Sequence, residues 1–207
     1  MGAVKQQEPC QIYLAVQSQM DVGTVSAMLE GRRAASLLVY SDDGLSPAVD
    51  TARLLLATAH GQGIPLVIAD DSELANQIGA DGVHIPANEE RYALCRERLG
   101  PEAIIGAGCG TSRHDALVLA EQGADYIAFG PEPGQPDDCG DVTELVSWWQ
   151  EVCEPPVVGW HRGGWDNAAA LIAAGADFIG VSALITQADD PPAALDRLSR
   201  LIAEQSH

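Results

Sequence analysis

Residues 79–85 read GADGVHI, residues 123–130 read GADYIAFG and residues 175–182 read GADFIGVS. The same three letters recur at the same place in the same local pattern. Each copy follows a helical stretch rich in small residues (LANQI, LVLAEQ, LIAA) and precedes a short apolar run. Glycine suits a helix C-terminus, where a left-handed residue costs it little. The apolar run after aspartate reads as a buried strand. The glycines at 79, 123 and 175 lie 44 and 52 residues apart, about two strand-plus-helix units each.

Working outward from these junctions fills in eight units. Strands are predicted at 12–16, 36–40, 65–69, 82–85, 103–107, 126–129, 156–160 and 178–181. Helices are predicted at 22–30, 47–62, 72–78, 89–99, 113–122, 142–152, 167–174 and 192–204. Alternating βα units with Val/Ile-rich strands imply a parallel sheet covered by helices. Eight of them point to a closed (β/α)8 TIM barrel, one domain over 1–207 with residues 1–10 as an N-terminal tail. The alternative, a doubly wound open sheet, normally carries a Gly-rich fingerprint after its first strand. Gln17-Ser18-Gln19 stands there instead.

Composition narrows the partners. Thirty acidic residues against 11 basic give a formal charge of −19. That disfavours nucleic acid and anionic membrane surfaces as partners. It leaves room for a small phosphorylated molecule, which backbone amides and helix N-termini bind locally. No apolar run of spanning length and no secretory h-region are seen, so a cytoplasmic location is expected, and a homo-oligomer stays open. The five cysteines are scattered without metal-type pairs and read as reduced thiols. The one lysine, Lys5, falls in the expected tail, so a Schiff-base mechanism has no lysine to use.

In such barrels the chemistry lies at the C-terminal strand ends. There stand Tyr40, Ser41 and Asp42; Asp70 and Asp71; His84 and Glu89; Cys109 and Thr111; the loop GPEPGQPDDCGD at 130–141; His161 and Arg162; and Ser182. Asp70 and Glu89 are candidate oxygen ligands for Mg²⁺, which often uses one or two carboxylates plus phosphates and waters. Helix capping by Asp70 or Asp71 is the competing role. His84 and His161 are the candidate acid–base residues, with a hydrogen-bonded core histidine the plainer role for His84. Arg162, with Gly163 and Gly164, is a candidate anion site whose competitor is a surface salt bridge. Tyr40, Thr111 and Ser182 complete the candidate ligand-binding set. Trp160 and Trp165 flank His161-Arg162 and could stack on a flat ligand, or simply pack.

With the barrel in hand, IYLAV, PLVIADDSELANQIGADGVHIP, IIGAG, GADYIAFGP and PPVVGWHRGGWDNAAALIAAGADFIGVSALI together resemble the thiamine phosphate synthase family and its thiazole tautomerase-like relatives, over about residues 12–203. The resemblance implies a transferase that joins a pyrimidine diphosphate to a thiazole phosphate with help from Mg²⁺. It maps the metal carboxylates onto Asp70 and Glu89 and a phosphate contact onto Val181-Ser182. Elsewhere at the ligand end the chain departs from the family pattern. Leu38, Tyr40 and Asp42 replace a Gln, an Arg and a Lys; Gly108 replaces a Ser; EPGQPDD replaces a Thr/Lys-rich loop; His161-Arg162 replaces Gly-Gly. Acidic residues in place of cations repel pyrophosphate. The resemblance with these departures predicts a retained fold with an altered site and weak or no thiamine phosphate synthase activity. Three functions stay open: that synthesis itself, a related enzyme (including a tautomerase-like isomerase) acting on a small phosphate, and a non-catalytic binding or regulatory barrel.

Overall fold

The computed structural model describes residues 9–31, 33–41, 46–134, 141–161 and 163–205. Eight parallel strands close on themselves in sequence order: β1 (Gln11–Gln17), β2 (Ser36–Tyr40), β3 (Leu66–Ala69), β4 (Gly82–Pro86), β5 (Ile104–Gly108), β6 (Tyr126–Phe129), β7 (Val157–Trp160) and β8 (Phe178–Val181). β1 pairs with β8, with Gln11 opposite Phe178 and Leu14 opposite Val181, so the open-sheet alternative does not hold. The helices are α1 (Val22–Leu29), α2 (Val49–Gly61), α3 (Ser72–Ile78), α4 (Glu89–Leu99), α5 (Arg113–Glu121), α6 (Val142–Val152), α7 (Trp165–Ala173), α8 (Ala183–Thr186) and α9 (Pro191–Gln205). Among the described residues none of them is long and apolar enough to cross a membrane.

The expected elements are all present, with shifts at their ends. β3 and β7 begin one residue later than expected, after Pro65 and Pro156. Proline has no N–H for the ladder, but its carbonyl still accepts: Leu37 N–H donates to Pro65 and Ile127 N–H to Pro156. α7 begins at Trp165, two residues earlier than expected, and the one-turn α8 after β8 has no counterpart in the sequence reading. Of the expected tail, residues 1–8 lie outside the described residues, and Cys10 packs against the core.

The three GAD junctions are built alike. Gly79, Gly123 and Gly175 take φ of 72°, 95° and 91°, reversing the chain after its helix. The alanine N–H then donates back into that helix: Ala80 to Ala75, Ala124 to Leu119 and Ala176 to Leu171. The aspartate side chain reaches sideways to a backbone N–H at the start of the neighbouring strand. Asp81 accepts from Leu66 N–H, Asp125 from Ile105 N–H and Asp177 from Val157 N–H, each at 2.8 Å. Each carboxylate takes a second partner: His60 for Asp81, Arg96 for Asp125 and Gln150 for Asp177. The repeat is therefore a clamp at the N-terminal end of the barrel, holding β3, β5 and β7 to the strands that follow them.

Two apolar layers result. One lies between strands and helices, including Leu14, Leu37, Ile68, Phe129, Trp149 and Leu198. The other fills the barrel with Tyr13, Ala15, Leu38, Val67, Tyr126, Ala128, Val158 and Trp160. The interior mixes very large and very small residues. A Cβ at Gly106 would strike the Tyr126 ring, and one at Gly180 would strike the Trp160 indole. These glycines supply the volume that the aromatics fill.

Asp125→Ala should lower stability by about 1.5–3 kcal/mol, the range for a hydrogen bond to a charged group. Asp125→Asn, which keeps an acceptor for Ile105 N–H, should recover part of the loss. Equilibrium urea unfolding measures both.

Candidate functional site

The mouth at the C-terminal strand ends holds a cavity of about 350 Å³ lined by, among others, Gln17, Tyr40, Trp160, His161, Gly163 and Ser182. A larger one, about 470 Å³, opens near Cys10, Arg33 and Ser199. We take the mouth as the candidate site, because the second cavity lies by the N-terminal strand ends, where this fold places stability rather than chemistry.

Tyr40 and Ser182 meet here: their hydroxyls, from β2 and from the residue after β8, lie 2.9 Å apart. Trp160, at the end of β7, lines the same cavity. It is 2% exposed, and its indole Nε1 has no hydrogen-bond partner among the described residues. A buried donor left unpaired costs about 1–3 kcal/mol. Trp160 packs edge-on against Tyr13 and His84, with centroids 5.6 and 6.1 Å away. Trp165, by contrast, lies under the Arg197 guanidinium at 4.0 Å. Its ring is thus engaged by α9, whereas Trp160 lines the cavity.

Below the mouth runs a polar chain. The hydroxyls of Tyr13 and Tyr126 are 2.5 Å apart, and Tyr126 lies 2.9 Å from His84 Nδ1. His84 Nε2 lies 2.8 Å from Glu132 Oε1. One assignment satisfies every group: Nε2–H donates to the carboxylate, Nδ1 accepts from Tyr126, and Tyr126 accepts from Tyr13. Burial pushes both phenols well above their ordinary range, so both hydroxyls keep their protons. His84 is thus bonded on both ring nitrogens. Tyr13, Tyr126 and Glu132 were not singled out from the sequence. The available signal was Gly106 and Gly108 alternating on β5, which leave room for large neighbours.

The two candidate histidines have separate environments. His161 is 8% exposed and donates from Nε2 to the Gly164 carbonyl at 2.9 Å. Burial holds its pKa below the ordinary imidazole value. It is a neutral donor there rather than a supplementary cation. Gly163 has a φ of 100° and Gly164 caps α7. Arg162, Asp42 and residues 135–140, Cys139 among them, lie outside the described residues. Thr111 is exposed in the turn before α5. Cys109 is buried and its thiol is pushed up to about 12, which removes it as a reactive thiolate.

The cap of α3 is Asp71, which accepts from Leu74 N–H at 2.8 Å and from Ser46 Oγ. Asp70 is therefore released to the rim. It is the one non-glycine with positive φ among the described residues, at 58°. Such conformations cluster at functional sites. Its carboxylate pairs with Arg91 at 2.8 Å. Burial raises its pKa, Arg91 opposes, and Glu132 and Asp71 add to the rise. Glu89 instead accepts from Gln122 at 2.6 Å and lines a groove with Asp115 and Val118 of α5. As placed, the Asp70 and Glu89 carboxylates take different partners, Arg91 and Gln122. Among the described residues no three His, Cys, Asp or Glu side chains converge on a metal position.

Because His161 titrates lower in the folded protein than unfolded, the unfolded chain gains the proton first as pH falls. Its contribution is complete above about pH 6.5, the unperturbed value, and is lost below it. Urea unfolding at pH 7 and pH 5 should show a smaller drop for His161→Gln than for wild type.

The comparisons agree with this architecture. The family model for thiamine monophosphate synthase matches residues 12–185. A thiamine-phosphate synthase of Erythrobacter litoralis is 36% identical over 195 residues, 88% of this chain and 91% of that protein. One of Rhodospirillum centenum is 33% identical over 181 residues, 83% and 87% of the two chains. The structure of thiamine phosphate pyrophosphorylase from Pyrococcus furiosus superposes with a TM-score of 0.81 at 22% identity, covering 97% of this chain and 99% of that one, which shows the shared fold. With the family model running from within β1 into α8, the chain belongs to the thiamine monophosphate synthase family.

Proposed function

We propose that this barrel performs the reaction for which its relatives are named, forming thiamine phosphate from a pyrimidine diphosphate and a thiazole phosphate. In that reaction a C–N bond forms between the thiazole nitrogen and the pyrimidine methylene carbon, and the C–O bond to pyrophosphate breaks with its electron pair. The observation that carries the reading is the pair of Tyr40 and Ser182 hydroxyls, 2.9 Å apart in the lining of the mouth cavity, a polar wall suited to a ligand rich in acceptor oxygens. Gly163 lines the same cavity and leaves backbone within close reach.

Family membership supports this reading over the weak or absent synthesis expected from the sequence. A second reading rests on its own observation: Glu132 stands at the mouth near Asp70, and Leu38 and Tyr40 occupy β2, where the family pattern has Gln and Arg. Negative charge at this rim disfavours a diphosphate. On this second reading the barrel binds phosphorylated ligands but turns them over slowly or differently.

Direct assay with both phosphorylated substrates, with and without Mg²⁺, separates the two. Turnover at about 1 s⁻¹ or above, the ordinary enzyme range, supports synthesis. Stabilisation by the thiazole phosphate, about 2.7 kcal/mol at 100 times its Kd, without turnover supports the second reading. Neither stabilisation nor turnover overturns both. Ser182→Ala removes one hydroxyl of this pair and should raise Kd for the thiazole phosphate ten- to a hundredfold, the range expected for one lost hydrogen bond to a charged acceptor.

A further inference from the structure

Asp70, Asp71 and Glu89, just after β3 and β4, are hard oxygen donors of the kind that hold a divalent cation. Each already has a partner within the protein. Asp71 caps α3 and also accepts from Ser46. Glu89 accepts from Gln122. Asp70 is covered by Arg91, whose Nη2 lies 2.8 Å from its carboxylate and 3.4 Å from its backbone carbonyl. Carboxylate and carbonyl oxygens are the atoms that a hard cation takes.

The α4 helix by itself gives no reason for a cation at this place. Arg91 follows Glu89 and Glu90 in the first turn, where the helix dipole favours acids and opposes positive charge. The Asn88 cap fixes its backbone, accepting from Arg91 N–H at 2.8 Å. Asp70 meets the guanidinium from a backbone held at a φ of 58°, which is unfavourable for a residue other than glycine. Two local costs, one in α4 and one after β3, thus converge on a single ion pair.

We propose that Arg91 is a built-in counter-cation that takes the place of a divalent metal ion at Asp70, so that this rim excludes Mg²⁺ and Mn²⁺ while the guanidinium is seated. In this the chain departs from the Mg²⁺-assisted pattern that its family resemblance implies. The exclusion is a property of the rim and is independent of which ligand the mouth takes. Removal of the guanidinium leaves Asp70 in the negative field of Glu132 and Asp71, which draws a cation in.

The test titrates the protein with Mn²⁺ in the absence of any substrate and follows the free ion by electron paramagnetic resonance. Wild type, Arg91→Gln, the double variant Asp70→Asn/Arg91→Gln and Arg113→Gln are compared, with thermal unfolding to confirm that each is folded. Arg113 is the control. It pairs with Glu144 at 2.9 Å and is about as exposed as Arg91, so its loss changes the net charge equally without touching Asp70. Arg91→Gln should bind Mn²⁺ about tenfold more tightly than wild type, as expected when a unit positive charge beside a divalent ion is removed. The double variant should return to wild-type affinity, and Arg113→Gln should stay within about twofold of it, because distant exposed charges are screened. No gain in Arg91→Gln overturns the inference. An equal gain in Arg113→Gln does so too, because it reports net charge alone. A gain that survives Asp70→Asn also overturns it, because the ion then sits elsewhere.

Discussion

The hydrogen bond from a strand N–H to the aspartate of the next GAD junction is the contact on which the barrel's closure depends. A parallel strand begins with an amide that its own ladder cannot always serve, and a buried unpaired N–H is costly. Asp81, Asp125 and Asp177 settle that need for β3, β5 and β7 while glycine reverses the chain and alanine ties it to the preceding helix. One tripeptide therefore sets helix end, strand start and neighbour register together. Before β2 the corresponding place is held by Ala35, whose N–H still donates to Ile12 but which brings no carboxylate. The clamp is thus repeated three times in eight strands, at the end of the barrel away from the mouth.

The barrel interior follows a second constraint, which is volume. Tyr13, Tyr126 and Trp160 are too large to share a small barrel with ordinary neighbours. Glycines at 106 and 180 make the room. The polar ends of the tyrosines then require partners, and His84 provides one on β4. His84 in turn requires an acceptor at Nε2, and Glu132 supplies it from the loop after β6. Packing at the floor thereby decides chemistry at the rim.

The mouth has two unlike walls. On the β2 and β8 side, Tyr40 and Ser182 offer hydroxyl groups. On the β3, β4 and β6 side, Asp70 and Glu132 offer carboxylates, with Arg91 offsetting Asp70. In a protein carrying a formal charge of −19 this division matters. The net charge disfavours anions at long range, and a phosphate is held only where donors are presented locally.

Local regularities were legible in the sequence because they depend on near neighbours. The βα alternation, the glycine-ended helices and the candidate strand ends at Tyr40, Asp70, His84, His161 and Ser182 all follow from periodicity and turn chemistry. The sequence places Tyr40 and Ser182 in one candidate set with Thr111, Arg162, Gly163 and Gly164, and closure brings the Tyr40 and Ser182 hydroxyls together. It could not tell whether Asp70 or Asp71 caps α3, since both precede the helix and only backbone geometry separates them. It did not show that Glu89 turns to Gln122, because a residue at a helix start can face the mouth or the next helix equally well. Nor did it show the partnership of Gly108 with Glu132, 24 positions apart, or of Tyr13 with Tyr126. Those contacts join strands that are distant in the chain and adjacent only once the barrel has closed. The sequence by itself determined the architecture and the end of it at which the candidate residues gather; the tertiary structure alone decided which side chains meet there, because that depends on volumes and hydrogen-bond partners brought together by closure.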